Sequence, residues 1–483
     1  MHGIPNIRHE SFVVALLAAS ALLQPNALRA QTKAEVVDEL DEQYSHYSAI
    51  AKTIWDNPEL GYLENNTVAL LQNELAAAGF VVEEAVAGIP TAFTATYGSG
   101  KPVIGILAEF DALPGMSQAA VPHREALVDG APGQACGHHL FGAGSLAAAI
   151  AIKNWLAESG TAGTIRLYGT PAEEGGSGKV YMVRAGLFDD VDAAITWHAW
   201  DENTSDPLTD LATISAKFTF TGASAHAAAS PEMGRSALDG VEAMNGMVNM
   251  LREHTTESTR IHYVITKGGD APNIVPAIAE VYYVVRHEDR DELRSVWSRV
   301  VRAAEGAALG TETQMRYEVI GGTYNRLPNE TLSKTMYENL QLVGGVHYDE
   351  QELSFARTLS ATLPVAKPLE SASEVQPMLF KRTKASADTG DVSWTVPLAQ
   401  MRAATWVPGT PAHSWQAVAA GGMSIGYKGM MVAAKTLTLT AIDIYREPAI
   451  IDAAREEFDE RRGADFLYES LLGDRLPALD YRK

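Results

Sequence analysis

The stretch QACGHHL, residues 134–140, places the only cysteine of this 483-residue chain beside two histidines. Cys136 and His138 are two positions apart, so in an extended segment both side chains lie on the same side and can reach one ion. A single cysteine cannot form an internal disulfide. Cys136 is therefore either a buried, unreactive thiol, or a metal ligand or nucleophile.

Other residues that can bind a metal or exchange a proton occur in short clusters along the chain. Besides Cys136, His138 and His139, the clusters contain Glu109 and Asp111, Glu173 and Glu174, His198 and, far downstream, His413. Nitrogen, sulfur and oxygen ligands together suit Zn²⁺ or Mn²⁺ better than Ca²⁺ or Mg²⁺. A thiolate that binds a metal loses its proton and can bridge two ions. The sequence therefore favours a metal site in which Cys136 is a ligand.

The elements that must position these clusters have an α/β pattern. Continuous apolar segments predict buried strands within 101–114, 163–176 and 191–200, and the polar clusters recur where these strands end. Helices are predicted at 33–53, 66–80 and 141–157. Strands that alternate with helices indicate a mostly parallel sheet, and ligands bind such sheets beyond the carboxyl ends of the strands.

The pattern changes near residue 211, where alternating polar and apolar residues predict strands with one solvated face. In 212–325 the predicted order is strand, helix, strand, strand, helix, strand, which is the ferredoxin-like βαββαβ pattern. We therefore expect 212–325 to be a small α+β domain inserted into a larger domain made of 31–211 and 326–483. The charge-rich segment 445–483 predicts an exposed helix.

Residues 1–30 have the pattern of a secretory signal peptide, which predicts a periplasmic or secreted protein. An apolar run at 11–23 is too short to span a membrane stably, and Ala27 and Ala30 after it are candidate cleavage points. The alternative is a buried or frayed N-terminal helix. The formal net charge of −22 makes nucleic acids and anionic membrane surfaces poor partners.

Five motifs occur in order along the chain: AEFDALP, ACGHH, GTPAEEGG, WHA and VPGTPAHSW. In these motifs the chain resembles the M20 family of dinuclear metallopeptidases and amidohydrolases. Within that family it is most similar to the branch that hydrolyses aminobenzoyl-glutamate, IAA–amino acids and hippurate. The resemblance spans about 45–440. It implies an α/β fold, in which a dinuclear-metal aminopeptidase-like catalytic domain carries an inserted ferredoxin-like α+β lid and dimerisation domain.

The resemblance also implies a role for each matching residue. The implied ligands of two divalent ions, Zn²⁺ or Mn²⁺, are Cys136, His138, Glu174, His198 and His413, with Cys136 bridging. Glu173 matches the general base, and Asp111 matches an acidic residue that orients a ligand. His226 resembles a histidine that crosses a dimer to stabilise the oxyanion. Asn273 and Arg286 resemble residues that hold the carboxylate end of the substrate, although Arg286 could instead form a surface ion pair.

The implied reaction is hydrolysis of the amide bond of an N-acyl amino acid or small peptide by a metal-activated water, in a homodimer formed through the lid domain. One alternative is an aminopeptidase or dipeptidase on the same scaffold, which would need an acidic residue near the free amine of the substrate. The other is a catalytically inactive metal- or ligand-binding protein, which the intact pair Glu173 and Glu174 disfavours.

Two positions depart from the family pattern. Glu109 stands where the peptidase branch has a histidine, and the resemblance implies that His138 replaces that ligand. His139 stands where Asp or Asn is common, so the surroundings of the ligands and the metal preference are expected to differ.

Overall fold

The computed structural model describes residues 1–3 and 31–482. The predicted signal peptide, 1–30, therefore lies almost wholly outside the described residues, and its cleavage remains a prediction.

The described residues form helices and strands in alternation up to β5, and a second sheet follows. The helices are α1 Lys33–Glu42, α2 Tyr44–Asp56, α3 Asn65–Ala77, α4 His138–Ser159, α5 Gly178–Arg184, α6 Ala237–Leu251, α7 Arg290–Gly310, α8 Glu330–Val343, α9 Glu350–Ser360, α10 Thr389–Ser393, α11 Trp415–Gly421, α12 Ser424–Arg446 and α13 Pro448–Arg462. The strands are β1 Val81–Glu84, β2 Phe93–Ser99, β3 Val103–Ala108, β4 Gly163–Gly169, β5 Ala193–Trp200, β6 Leu208–Thr209, β7 Ala212–Thr221, β8 Arg260–Lys267, β9 Ile278–His287, β10 Gln314–Thr323, β11 Lys381–Arg382 and β12 Leu398–Ala404.

The main sheet has six strands in the order β1-β2-β4-β3-β5-β12. The four strands β4, β3, β5 and β12 are parallel, whereas β1 and β2 add an antiparallel edge. This arrangement confirms the predicted α/β class. Strand β3 is buried along its whole length, as its uninterrupted apolar sequence predicts.

Helices α4 and α12 pack against each other and against the main sheet, so both cover the same face. Helix α4 is long and apolar enough to cross a membrane by composition alone, but 72% of its most apolar window is buried inside the protein. Its apolar residues are therefore explained by the core.

Strands β7 to β10 form the second sheet, in the order β10-β7-β9-β8, and all its neighbouring strands are antiparallel. With α6 after β7 and α7 after β9, this is the expected ferredoxin-like order. Alternate residues of β7 and β9, among them Phe218 and Tyr283, are buried in a core of their own with both helices. The exact limits of the predicted inserted domain, 212–325, remain a prediction.

The end of the chain differs from the exposed helix predicted for 445–483. Only Pro448–Arg462 continues as a helix after α12, and 463–482 is irregular. Gly463 and Gly473, both with positive φ, interrupt helical geometry here. The segment is also not simply exposed, because Leu471 belongs to the core of the second sheet and Leu472 to that of the main sheet. The tail therefore joins the two cores.

Candidate dinuclear metal centre

The predicted clusters meet at one edge of the main sheet. Because β3, β4, β5 and β12 are parallel, their carboxyl ends lie together. Glu109 and Asp111 follow β3, Glu173 and Glu174 follow β4, His198 lies near the end of β5, and His413 follows β12. Cys136 and His138 enter the same region at the start of α4. A cavity of about 460 Å³ opens over this edge.

Two sets of candidate ligands share Cys136. In the first set, the ligand atoms of Cys136, His138 and His198 lie within 4.8 Å of one another. In the second, those of Cys136, Glu174 and His413 meet the same limit. One thiolate placed in two ligand sets is the geometry expected of a residue that bridges two ions.

The imidazoles of His138 and His198 are oriented by hydrogen bonds at Nδ1. Nδ1 of His138 lies 3.1 Å from Asp111 Oδ1 and 3.0 Å from the Asp111 carbonyl oxygen. Nδ1 of His198 lies 2.8 Å from the carbonyl oxygen of Ala199. If both Nδ1 atoms donate, each Nε2 carries a lone pair, and Nε2 of His198 lies 3.7 Å from Cys136 Sγ.

Gly137 lets α4 begin at this position. Its φ is 76°, and a Cβ there would lie 2.4 Å from Cβ of Ala199. Only glycine combines this left-handed conformation with such a close approach to β5. Gly137 therefore places Cys136 and His138 beside His198.

Glu173 and Glu174 lie in a loop that other side chains hold at its backbone. Asp111 Oδ2 accepts a hydrogen bond from the Glu174 backbone N–H at 2.9 Å, so Asp111 contacts two candidate ligands, His138 and Glu174. Ala172 and Ser177, at either end of the loop, have φ values of 57° and 59°. Such left-handed conformations cost energy in non-glycine residues and often occur at functional sites. The side chain of Glu174 approaches His413 Nε2 to 3.0 Å.

The residues present fit a divalent metal. His138 Nε2, Glu109 Oε2 and Glu174 Oε1 are buried and form no hydrogen bond within the described residues. Buried polar atoms without partners are costly unless a bound group satisfies them. Burial raises the pKa of the Cys136 thiol above its usual value. A bound cation would reverse this effect, because coordinating thiols are deprotonated.

Glu173 differs from Glu174 in its electrostatic surroundings. Burial and repulsion by Glu109 and Glu174 raise the pKa of Glu173 well above its usual value. Burial would also raise the pKa of Glu174, but the hydrogen bond to His413 and the nearby His138 lower it overall. A carboxylate with a raised pKa next to a ligand carboxylate with a lowered one suits a proton acceptor beside a metal ligand.

Lys179, which the sequence did not single out, is fully buried and links Glu109 to Asp388. Its Nζ lies 2.7 Å from Glu109 Oε1 and 2.7 Å from Asp388 Oδ1. Burial would raise the pKa of Glu109, but the charge of Lys179 and the neighbouring His138 lower it well below its usual value. The charge of Glu109 is thus balanced by an ammonium group where the peptidase branch has a histidine.

His139 makes structural contacts away from the cavity. Its Nε2 lies 2.9 Å from the carbonyl oxygen of Gly421 at the end of α11, and its backbone N–H donates to the side chain of Gln134. Burial lowers the pKa of His139 to about 3, so the ring is neutral at physiological pH.

The three residues predicted in the second sheet separate into two places. Arg286 lines the cavity, and its Nη1 donates a 3.0 Å hydrogen bond to Ser386 Oγ. His226 and Asn273 are exposed in two adjoining loops, where the Ala227 N–H donates to the Asn273 carbonyl oxygen. Neither residue is among those that line the cavity in the described part of the chain. Backbone N–H groups of Ala228 and Ala229 donate to His226 Nδ1, so Nε2 carries the proton.

Two residues near the end of the chain also reach the site. The guanidinium of Arg482 donates a 2.6 Å hydrogen bond to the Glu174 carbonyl oxygen, and the hydroxyl of Tyr481 lies 3.3 Å from the same atom. The sequence offered no signal for this contact, because the two segments are more than 300 residues apart.

A parallel sheet that carries two ligand sets joined by one cysteine defines a protein with a candidate dinuclear metal centre. The chain belongs to peptidase family M20/M25/M40, whose sequence profile matches residues 105–417. This membership confirms the resemblance found in the motifs.

Curated relatives extend the match over nearly the whole chain. The chain is 41% identical to the B subunit of the p-aminobenzoyl-glutamate hydrolase of Escherichia coli K12, over 88% of this chain and 94% of the relative. It is 28% identical to the Xaa-Arg dipeptidase of Mus musculus, over 88% of this chain and 92% of the relative. A solved dinuclear metal-binding peptidase of the M20 family from Bacillus subtilis has a TM-score of 0.59 at 17% identity, over 84% of this chain and 99% of the other. The chain is therefore a hydrolase that acts on carbon–nitrogen bonds, on a fold that holds two metal ions in a relative.

Proposed function

We propose that this protein is a metal-dependent amidohydrolase that cleaves the amide bond of an N-acyl amino acid, and that its resident ions are Zn²⁺ or Mn²⁺. The observation that carries the proposal is the sharing of Cys136 between two ligand sets beside Glu173. The similarity to an aminobenzoyl-glutamate hydrolase supports an acyl amino acid of that kind as substrate.

In this proposal, Cys136, His138, Glu174, His198 and His413 hold two ions, which polarise the substrate carbonyl and make water more acidic. Glu173 accepts a proton from the attacking water and delivers it to the leaving amine. The raised pKa of Glu173 lets the protonated carboxyl form readily between these two transfers. Arg286 binds the substrate carboxylate through its guanidinium group.

The cavity favours an amidohydrolase over an aminopeptidase or dipeptidase that binds a free amine. Among the described residues lining the cavity, the carboxylates are Glu109, Glu173, Glu174 and Asp388. The first three belong to candidate metal sets and Asp388 is paired with Lys179. No carboxylate among these residues is left to bind an ammonium group. The intact Glu173–Glu174 pair also favours an enzyme over an inactive binding protein.

Metal removal and a substrate panel test the proposal together. The metal-free protein is expected to be inactive, and Zn²⁺, Mn²⁺ or Co²⁺ is expected to restore hydrolysis. The panel compares p-aminobenzoyl-glutamate and N-benzoyl amino acids with dipeptides that carry a free amine. Full activity in a sample shown to be free of metal would disprove the proposal, and a preference for dipeptides would favour the alternative.

We further propose that the protein acts as a homodimer through its second sheet. Strand β8 is an edge strand with exposed apolar residues, including Tyr263, Val264 and Ile265. An edge with unpaired backbone groups and apolar side chains is suited to pairing with another chain. A second copy would also bring His226 to a cavity that it does not line in its own chain, where its Nε2–H could stabilise the oxyanion.

Mixed dimers test whether His226 acts across the interface. His226→Ala and Glu173→Ala are each expected to be inactive alone, and co-expression is expected to restore part of the activity. If His226 acts within its own chain, mixing restores nothing. Because the Escherichia coli relative is one of two kinds of chain, A and B, in the names of that hydrolase, repeating the co-expression with a chain of the other kind would identify a mixed assembly.

Export through residues 1–30 to the periplasm or beyond is also proposed, on the apolar run at 11–23. Sequencing the N-terminus of the mature protein after expression with its full leader tests it. A protein that retains residue 1 would contradict export by a cleaved signal.

A further inference from the structure

Arg402 lies beside a candidate metal ligand on the neighbouring strand. Strands β12 and β5 are parallel, and Arg402 is paired in register with His198. Side chains in register on adjacent strands lie on the same face of the sheet. Arg402 lines the same 460 Å³ cavity as His198, Glu173 and Glu174.

The guanidinium of Arg402 forms no hydrogen bond or ion pair with any residue that the structure describes, and its Nε is buried without a partner. Its closest recorded contact is the ring of Trp200, whose centre lies 4.2 Å from the guanidinium carbon. Three carboxylates lie near enough to attract it, but each already pairs with another cation. These pairs are Asp201 with Lys367, Asp206 with Lys381, and Asp210 with Arg326.

An arginine in this state is expensive unless an anion binds to it. Burial, and then the neighbouring charge of Arg326, lower the pKa of Arg402 to about 10, so it remains charged at neutral pH. A buried charge is compensated when a partner provides hydrogen bonds and the opposite charge. The planar guanidinium fits a carboxylate through two parallel hydrogen bonds.

A second guanidinium faces the same cavity from the other sheet. Arg286 belongs to β9 and Arg402 to β12, and both line the cavity. The only hydrogen bond of the Arg286 side chain within the described residues is to the Ser386 hydroxyl. The cavity therefore presents two arginines without carboxylate partners, one from each sheet.

We infer that Arg402 binds the side-chain carboxylate of the amino acid released by the enzyme, while Arg286 binds its α-carboxylate. The inference rests on the proposed amidohydrolase function and narrows it to N-acyl derivatives of dicarboxylic amino acids. Arg402 thereby sets specificity, since a neutral side chain would leave its guanidinium unpaired and a basic side chain would be repelled.

Matched substrates test the inference. N-benzoyl-L-glutamate and N-benzoyl-L-glutamine differ in one charge, and N-succinyl-L-leucine and N-butanoyl-L-leucine place the same difference on the acyl side. In Arg402→Gln the ratio of kcat/KM for benzoyl-glutamate over benzoyl-glutamine is expected to fall about 10- to 100-fold, mainly through KM. Arg402→Lys is expected to keep part of the preference, because it keeps the charge but loses the paired geometry.

Arg446→Gln is the matched control. Arg446 also stacks on a tryptophan, Trp155, at 5.2 Å, but it does not line the cavity. It should leave the ratio unchanged. An unchanged ratio in Arg402→Gln, or an effect confined to the succinyl pair, would overturn the inference.

Calorimetric binding of L-glutamate and L-glutamine to the metal-loaded protein separates this inference from the proposed function. Wild-type protein is expected to bind glutamate more tightly, and Arg402→Gln to lose that difference. If none of the four substrates is hydrolysed, the proposed function fails, while the calorimetry still decides whether Arg402 recognises a carboxylate. Equal binding of the two amino acids by the wild-type protein would overturn the inference.

Discussion

The ammonium group of Lys179 lies 2.7 Å from the Glu109 carboxylate, and the two side chains are 0% and 3% exposed. Asp388 contacts the same ammonium at 2.7 Å. This buried triad lies directly behind the candidate metal ligands, since Glu109 Oε2 approaches His138 Nε2 to 3.1 Å. Lys179 therefore keeps two carboxylates ionised in a place where burial alone would neutralise them.

Lys179→Met is expected to lower stability by about 3–5 kcal/mol, because it leaves buried carboxylates without their counter-charge. The measurement is the shift in melting temperature. Lys101→Met is a suitable control, because Lys101 pairs with Asp192 at the surface and is expected to change stability by less than about 1 kcal/mol. If both variants melt alike, the triad contributes no more than a surface pair.

Glu173 and Glu174 are expected to give opposite results when each is changed to Gln. Glu173→Gln should lower kcat about 10²- to 10⁴-fold and keep its metal, because it removes a proton acceptor. Glu174→Gln should lose metal, because it removes a ligand carboxylate. Metal content and kcat are measured on the same preparations. Loss of metal in Glu173→Gln with retention in Glu174→Gln would mean that the two roles are exchanged.

The sequence predicted the parts of the site that follow strands, because clusters such as Glu109 with Asp111 interrupt otherwise apolar segments. It also predicted the second sheet, since β7 and β9 alternate clearly between buried and exposed residues. The edge strand β1 was missed, because four residues with little burial give no periodic signal. The continuous helix predicted for 33–53 is two helices that meet at Gln43, where neither proline nor glycine marks the break.

Contacts between distant segments could not be predicted from one sequence. Lys179 and Asp388 are separated by 209 positions, and neither lies in a recognisable motif of its own. Arg402 did carry a signal, namely a charged residue within the otherwise mostly apolar stretch LAQMRAATW. A buried arginine of that kind suggests a binding role only when its missing partners can be seen in the structure.

Asp391 predicts a pH dependence of stability that is separate from catalysis. Burial raises the pKa of Asp391 from 3.8 to about 7, so the folded protein holds a proton that the unfolded chain releases. The stabilisation is complete below about pH 4 and is lost as the pH rises to about 7, with a slope of about 1.4 kcal/mol per pH unit. Compared with Asp391→Asn, the wild-type melting temperature is expected to fall between pH 5 and pH 7.5. Parallel curves for the two proteins would contradict this prediction.

Cys136→Ser is expected to lower metal content without affecting disulfide formation, because the chain has one cysteine. A serine hydroxyl is a much poorer ligand for Zn²⁺ than a thiolate. If Cys136 is only a packed thiol, serine would cost about 1–2 kcal/mol of stability and leave the metal in place. Metal stoichiometry and melting temperature, measured on one sample, distinguish the two outcomes.

The tail residues Tyr481 and Arg482 are expected to maintain the position of Glu174. Both approach its carbonyl oxygen, in a loop bounded by the left-handed residues Ala172 and Ser177. Loss of partners that orient a ligand commonly costs 10- to 100-fold in metal affinity or activity. Arg482→Met should therefore weaken metal binding by about that factor, whereas Arg482→Lys should retain part of the affinity because it keeps a donor.

Arg184→Met separates this local effect from loosening of the tail as a whole. Arg184 donates a 2.7 Å hydrogen bond to the Arg475 carbonyl oxygen and so holds the same segment without touching Glu174. Titration of the metal-free protein with Zn²⁺, followed by calorimetry, compares the variants. If Arg184→Met weakens binding as much as Arg482→Met, the tail acts by general packing. A loss confined to Arg482→Met would mean that its hydrogen bond to Glu174 places the ligand carboxylate.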